Sequence, residues 1–341
     1  MIRTLSSFVI ATLVLASAGL ATVQAPEKPK PEGSAQPAAA PPAAAKPAAA
    51  KPAAVPAKRF ASAEEGVDAF VAALRTGNSK ALAGILGSEG RSLTSSGDPV
   101  LDRMSRERFV KAYDTAHKLA VNGDTTWLRV GDDDWPLPIP LVKDGDRWRF
   151  DARQGREEIL ARSIGRNEIY TIETSLAYVD AQREYYAEDR DGDGILEYAQ
   201  KFGSTPGKRD GLYWPTQPGE PPSPLGALVV RARAEGYQRK ADGPTPYHGY
   251  VYRILTAQGP DAKDGAYDYI TKGHMIGGFA LVAFPARYGV SGVMTFLVNH
   301  DGVVFQKDLG PNTRALALKM KVFNPDGTWT KADVPELSAT K

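Results

Sequence analysis

From Glu188 to Ala199 the chain reads E-D-R-D-G-D-G-I-L-E-Y-A, with Asp189, Asp191 and Asp193 on alternate positions. Calcium takes roughly six to eight hard oxygens, and D-x-D-x-D-G supplies carboxylates at the first, third and fifth loop positions with a glycine for the sharp turn. Gly194 is that glycine, Ile195 offers its carbonyl at the next position, and Glu197 can serve directly or through water. The closing position, where a bidentate glutamate is usual, holds Gln200. A neutral amide brings one oxygen and no charge, so the expected site is weak and structural unless another acid closes it. The alternative is a solvated acidic turn held by its own side-chain hydrogen bonds.

The remaining chemistry is sparse. No cysteine occurs, which excludes a lipidated cysteine, a disulfide framework, a thiolate zinc site and a cysteine nucleophile. No G-x-S-x-G elbow is found, since Gly289-Val290-Ser291-Gly292 ends wrongly, and Ser204 and Lys208 miss the S-x-x-K spacing. G-S-T-P-G-K-R is one residue short of a phosphate loop and carries Arg209 where Ser or Thr is needed. The four histidines, His117, His248, His274 and His300, show no short metal-ligand spacing. Strand alternation places His248, Tyr250 and Tyr252 on one face. Together with Arg253 and His274 they form a candidate pocket; the alternative is a sheet face covered by a long helix. Tyr213-Trp214-Pro215 and Tyr237 offer rings for sugar stacking, or for a local core.

The elements that must position these residues fall into two groups. Ser62-Ala63-Glu64-Glu65 is a capping-box pattern before a helix with Val67, Phe70, Val71 and Leu74 on one face, ended by Gly77. Two further helices carry Leu82, Ile85 and Leu86, then Phe109, Ala112, Tyr113 and Ala116. The pattern then turns strand-like in T-W-L-R-V, P-L-P-I-P-L-V and R-W-R-F-D. A long helix follows, with Ile169, Ile172, Leu176 and Val179 as its stripe. After the acidic motif comes a helix capped by Ser223, with Pro224 in its first turn and Gly236 past its end. The β-rich remainder closes with a tight hairpin at Asp301-Gly302. The fold class expected is α+β in two domains, 60–155 and 156–335.

The start of the chain differs. Arg3 precedes an apolar run from Phe8 to Leu20, too short to span a bilayer comfortably and suited to a signal peptide over 1–25, with Ala18, Ala21 and Ala25 as competing cleavage points. Residues 26–59 are rich in Pro, Ala and Lys and read as a polyproline-II-like spacer, a disordered linker. That segment carries six basic residues against two acids, so of the chain's net charge of +2 it holds +4; with Arg3 removed, −3 is left from Phe60 onward. A mildly acidic globular part argues against a nucleic-acid footprint.

Several phrases together resemble one known family. I-G-R-N-E, L-A-Y-V-D-A-Q-R-E-Y, D-R-D-G-D-G-I-L-E-Y-A-Q, S-T-P-G-K-R-D-G-L-Y-W-P, P-Y-H-G-Y-V-Y-R-I-L-T-A-Q-G-P and G-G-F-A-L-V-A-F-P are similar to exported bacterial proteins of the domain-of-unknown-function family 2950 (DUF2950), over Phe60 to about Phe323. The resemblance implies no particular activity and no catalytic residues. The first half also resembles cone-shaped NTF2-like domains in element order. The second half resembles type IV pilin and pseudopilin heads, through Asn167-Glu168, Ala181-Gln182-Arg183-Glu184-Tyr185 and Asp301-Gly302. Pilins assemble through an apolar helix of about twenty residues at the mature N-terminus, and here a whole polar domain precedes the matching helix, which argues against a pilus subunit.

The reading is a non-enzymatic, periplasmic or secreted cell-envelope protein. Its expected partners are another envelope protein or a glycan, with no nucleic acid and no stable membrane span after signal cleavage. Calcium is the one cofactor considered. The alternative is a hydrolase acting on cell-wall or extracellular polymer, with His248 or His274 and nearby acids as its site; a cleft where histidine, acid and nucleophile converge would distinguish it.

Overall fold

The computed structural model describes residues 55–238 and 245–334. The expected signal peptide and most of the expected linker lie outside the described residues. Helix α1 (Ala63–Arg75) starts as the capping box demands: Ser62 Oγ accepts the Glu65 amide at 3.1 Å, and Glu65 reaches back to the Ala61 amide at 2.7 Å. It buries Val67, Phe70 and Val71, and α2 (Ser79–Leu86) buries Leu82, Ile85 and Leu86. Helix α3 (Pro99–Thr115) opens on Asp98, whose carboxylate accepts the Val100 and Leu101 amides.

These helices pack on a five-stranded antiparallel sheet of β1 (His117–Asn122), β2 (Thr125–Val130), β3 (Trp135–Pro136), β4 (Leu141–Asp144) and β5 (Arg147–Phe150). The order is β1-β2-β4-β5, with β3 on β2. Strand β1 has an exposed or half-exposed side chain at every position, which hides it from a reading based on apolar alternation.

Helix α4 (Arg156–Tyr186) is 31 residues long. Its buried face differs from the apolar stripe: Ile172 and Val179 are buried and Leu176 half-buried, but Ile169 is 44% exposed. The face turned inward also carries Asn167, Thr171, Ser175, Tyr178, Gln182 and Tyr185. These polar groups are satisfied. Asn167 donates to the Ser291 carbonyl at 2.9 Å, and Glu168 accepts the Val293 and Met294 amides at 2.9 and 3.0 Å. Gln182 exchanges hydrogen bonds with both the amide and the carbonyl of Ala199, each at 2.8 Å.

The second five-stranded antiparallel sheet has the order β14-β13-β12-β11-β6. Its strands are β6 (Tyr250–Leu255), β11 (Ala280–Pro285), β12 (Met294–Asn299), β13 (Phe305–Asp308) and β14 (Thr330–Lys331). Between β6 and β11 lie two small pairs, β7 (Ala257–Gln258) with β8 (Tyr267–Asp268), and β9 (Ile270–Thr271) with β10 (His274–Met275). Helix α4 packs on β11 and β12, and α6 (Thr313–Lys319) on β11. Strand β11, buried at all six positions, is the centre of this core.

Two local expectations are corrected. Helix α5 (Gly226–Glu235) begins three residues after Ser223, whose hydroxyl is buried without a partner and caps nothing; Gly236 ends the helix at φ 98° as expected. The β12–β13 connection is wider than a two-residue hairpin, because Leu297 pairs with Phe305 and the Gly302 amide returns to the Asn299 carbonyl.

The chain is α+β, with one buried cluster drawn from Phe60 to Ala152 and a second from Ile172 to Ala332. The described residues nonetheless belong to one compact unit. Among the described residues, no helix is long and apolar enough to cross a membrane.

Candidate functional site

The acidic loop follows α4 directly, and Gln182 pins its far end at Ala199. Asp189, Asp191 and Asp193 are exposed, and one carboxylate oxygen from each lies within 4.8 Å of the others. Asp189 accepts the Gly192 and Gly194 amides at 2.7 and 2.8 Å, and these hold its carboxyl below the usual range. Asp193 accepts the Ile195 amide. The other two expected ligand side chains point elsewhere. Glu197 lies 3.2 Å from His274 Nδ1 and accepts the Met275 amide, and partial burial raises its pKa; Gln200 donates to the Gly273 carbonyl at 2.6 Å. His274 Nδ1 also approaches Asp193 at 3.4 Å, so the loop is tied to the β9–β10 hairpin.

The candidate pocket around His248 separates into different places. His248 is buried, stacks on Tyr170 at 4.5 Å between ring centroids, and holds Glu235 through Nε2 at 3.0 Å. Desolvation lowers its pKa, opposed by Glu235. Tyr250 bonds Glu168 and the Met294 carbonyl, while Tyr252 meets Thr171, so the long helix covers this face. Arg253 lies at the end of α6, donating to the carbonyls of Ala317 and Leu318. His274 sits with the acidic loop instead.

Between α4, α5, the 201–215 segment and the start of the second sheet lies a cavity of about 1380 Å³. Tyr178, Trp214, Leu225, Tyr237 and Leu281 line it as buried side chains. Phe202, Tyr213, Leu228, Val229, Tyr247 and Tyr252 line it half-buried. Lys201, Lys208, Arg209 and Arg233 line it as exposed cations. Burial pushes the Tyr178, Tyr237 and Tyr252 hydroxyls well above the ordinary phenol range, so they remain neutral. Tyr185 positions part of this wall by donating to the Arg209 carbonyl at 2.8 Å.

Of the residues expected in a binding site, the cavity gathers Tyr213, Trp214, Pro215, Tyr237 and Tyr252; His248, Tyr250, Arg253, His274 and the acidic loop lie outside its wall. Its cationic side was missed, although Lys208 and Arg209 stand in the stretch that fails as a phosphate loop. The sequence signal was the interleaving of Lys201, Phe202, Lys208, Arg209, Tyr213 and Trp214 with a single acid, Asp210.

Residues 57–332 match the family described as Protein of unknown function (DUF2950), and the chain belongs to that family. Comparison with curated proteins and with solved structures finds no match.

Proposed function

We propose that this is a non-enzymatic binding protein of the cell envelope, whose ligand enters the cavity between α4 and α5. The observation that carries the reading is the cavity itself: about 1380 Å³, with buried rings and aliphatic side chains below and exposed cations around them. A concave, mainly apolar site with a few polar groups is the usual form of a small-molecule site; this one exceeds the roughly 300–1,000 Å³ typical of such sites and has room for an extended ligand. Export rests on the apolar run at Phe8–Leu20 and on the Pro/Ala/Lys spacer that follows it. In this proposal the spacer sets the distance between the binding unit and the exit membrane.

The acidic loop is proposed as a calcium-stabilised turn beside this site. Three exposed carboxylates converge there, and ionised oxygens are what a hard cation selects. Its role is to fix the chain between α4 and the 201–215 wall.

The binding reading is tested by native mass spectrometry of the full-length protein isolated from an envelope fraction. A co-purifying molecule is expected on the wild type and lost in Ala232→Trp, which fills the cavity from the half-buried face of α5. Identical spectra for the two proteins would contradict it.

A further inference from the structure

The cavity's charges narrow the chemistry of its ligand. Lys208, Arg209 and Arg233 have no ion-pair partner among the described residues, and only Lys201 is paired, to Asp210 at 2.6 Å. No aspartate or glutamate lines the cavity among the described residues. From Phe60 onward the chain is net negative, so this concentration of positive charge is local and not a product of composition. The same wall is otherwise apolar, with Leu228 and Val229 half-buried in it and Leu225 and Leu281 buried.

The ring faces decide between a sugar and an amphiphile. Arg209 lies over Trp214 at 5.5 Å from the ring centroid, and Arg233 over Tyr213 at 5.0 Å. A neutral glycan stacking on those rings would displace both guanidinium groups and lose the cation–π attraction. An anionic headgroup instead pairs with the guanidinium groups where they stand, because planar forked donors suit phosphate and carboxylate. Its apolar body then leaves water against the leucines.

We propose that the cavity takes an anionic amphiphile, its headgroup held by Lys208, Arg209 and Arg233 and its apolar body laid on the half-buried Leu228 and Val229 beside Leu225 and Leu281. This deepens the binding reading and rests on it.

The test is calorimetry on the full-length protein with dodecyl phosphate below its micelle concentration, against dodecyl maltoside, dodecyltrimethylammonium, inorganic phosphate and oligogalacturonate. Dodecyl phosphate is expected to bind at about one per chain and at least tenfold tighter than every other probe, since both charge and chain are required. The exposed double variant Lys208→Gln/Arg209→Gln is expected to lose about tenfold in affinity, with a melting temperature lowered by no more than the few degrees that the lost Arg209–Trp214 contact accounts for. Dodecyl maltoside binding as tightly as dodecyl phosphate, or oligogalacturonate binding more tightly, would overturn the proposal. If Ala232→Trp still removes a co-purifying molecule in either case, the binding reading survives and only the ligand class fails. Loss of all probe binding together with no co-purifying molecule sinks both.

Discussion

The carboxylate of Asp98 accepts the hydroxyl of Tyr237 at 3.0 Å, across 139 residues of sequence, with both side chains buried. The same oxygen accepts the Gly249 amide at 2.9 Å, and the other caps α3. Tyr237 lines the cavity and in turn accepts the His248 amide. One carboxylate thus joins the first helical layer to the cavity wall.

Asp98→Ala should therefore cost more than a lost helix cap. It leaves the Tyr237 hydroxyl and the Gly249 amide buried without their acceptor, and a loss of about 3 kcal/mol is expected in urea unfolding. Tyr237→Phe removes a single donor and should cost about 1 kcal/mol. Equal effects would mean that the carboxylate does not bridge the two parts.

Acid should loosen the same region through His248. Glu235 and Asp98 favour its charged form, while burial and Arg231 oppose it, and the net effect is a lowered pKa. The unfolded chain then takes up the proton at a higher pH than the folded one. The associated stability is complete above about pH 6.5 and is lost as pH falls through that value toward the lower folded pKa. Melting temperature measured from pH 7.5 to 5 should decline less steeply in His248→Gln than in the wild type. Parallel curves would remove His248 from the acid response.

Gly292 faces Tyr250 so closely that an added methyl would sit 2.0 Å from its hydroxyl oxygen. Tyr250 is fully buried and bonded to Glu168 and the Met294 carbonyl, so it has no room to yield. Gly292→Ala should cost about 3 kcal/mol by overpacking, read from the urea midpoint. A change below about 0.5 kcal/mol would show that Tyr250 can move aside.

Millimolar calcium should raise the melting temperature by a few degrees through the three converging aspartates. The shift should vanish in Asp191→Ala, whose carboxylate makes no hydrogen bond within the loop among the described residues. Glu197→Gln should leave most of it, because Glu197 is turned to His274 and Met275. No shift in the wild type would leave the loop as a turn held by its own amides.

What could be read from sequence was local. The cap at Ser62 and the helix ended by Gly236 depend on a few neighbouring residues, and they appear where those residues dictate. The inward face of α4 was not legible in this way. Asn167, Thr171 and Gln182 read as surface residues until Ser291 and Ala199 are brought to them. The three aspartates were visible as a cluster because they are adjacent. The cavity was not, since its wall joins α4, α5, β6, β11 and an irregular segment, and no spacing encodes that meeting.

Methyl NMR on leucine- and valine-labelled protein titrated with dodecyl phosphate tests the central claim most directly. The account predicts that the Leu225, Leu228, Val229 and Leu281 methyls move together and saturate, while Leu82, Leu86 and Leu128 of the other core stay still. Movement confined to the exposed Leu316 and Leu318 on α6, with the cavity methyls unmoved, would contradict it.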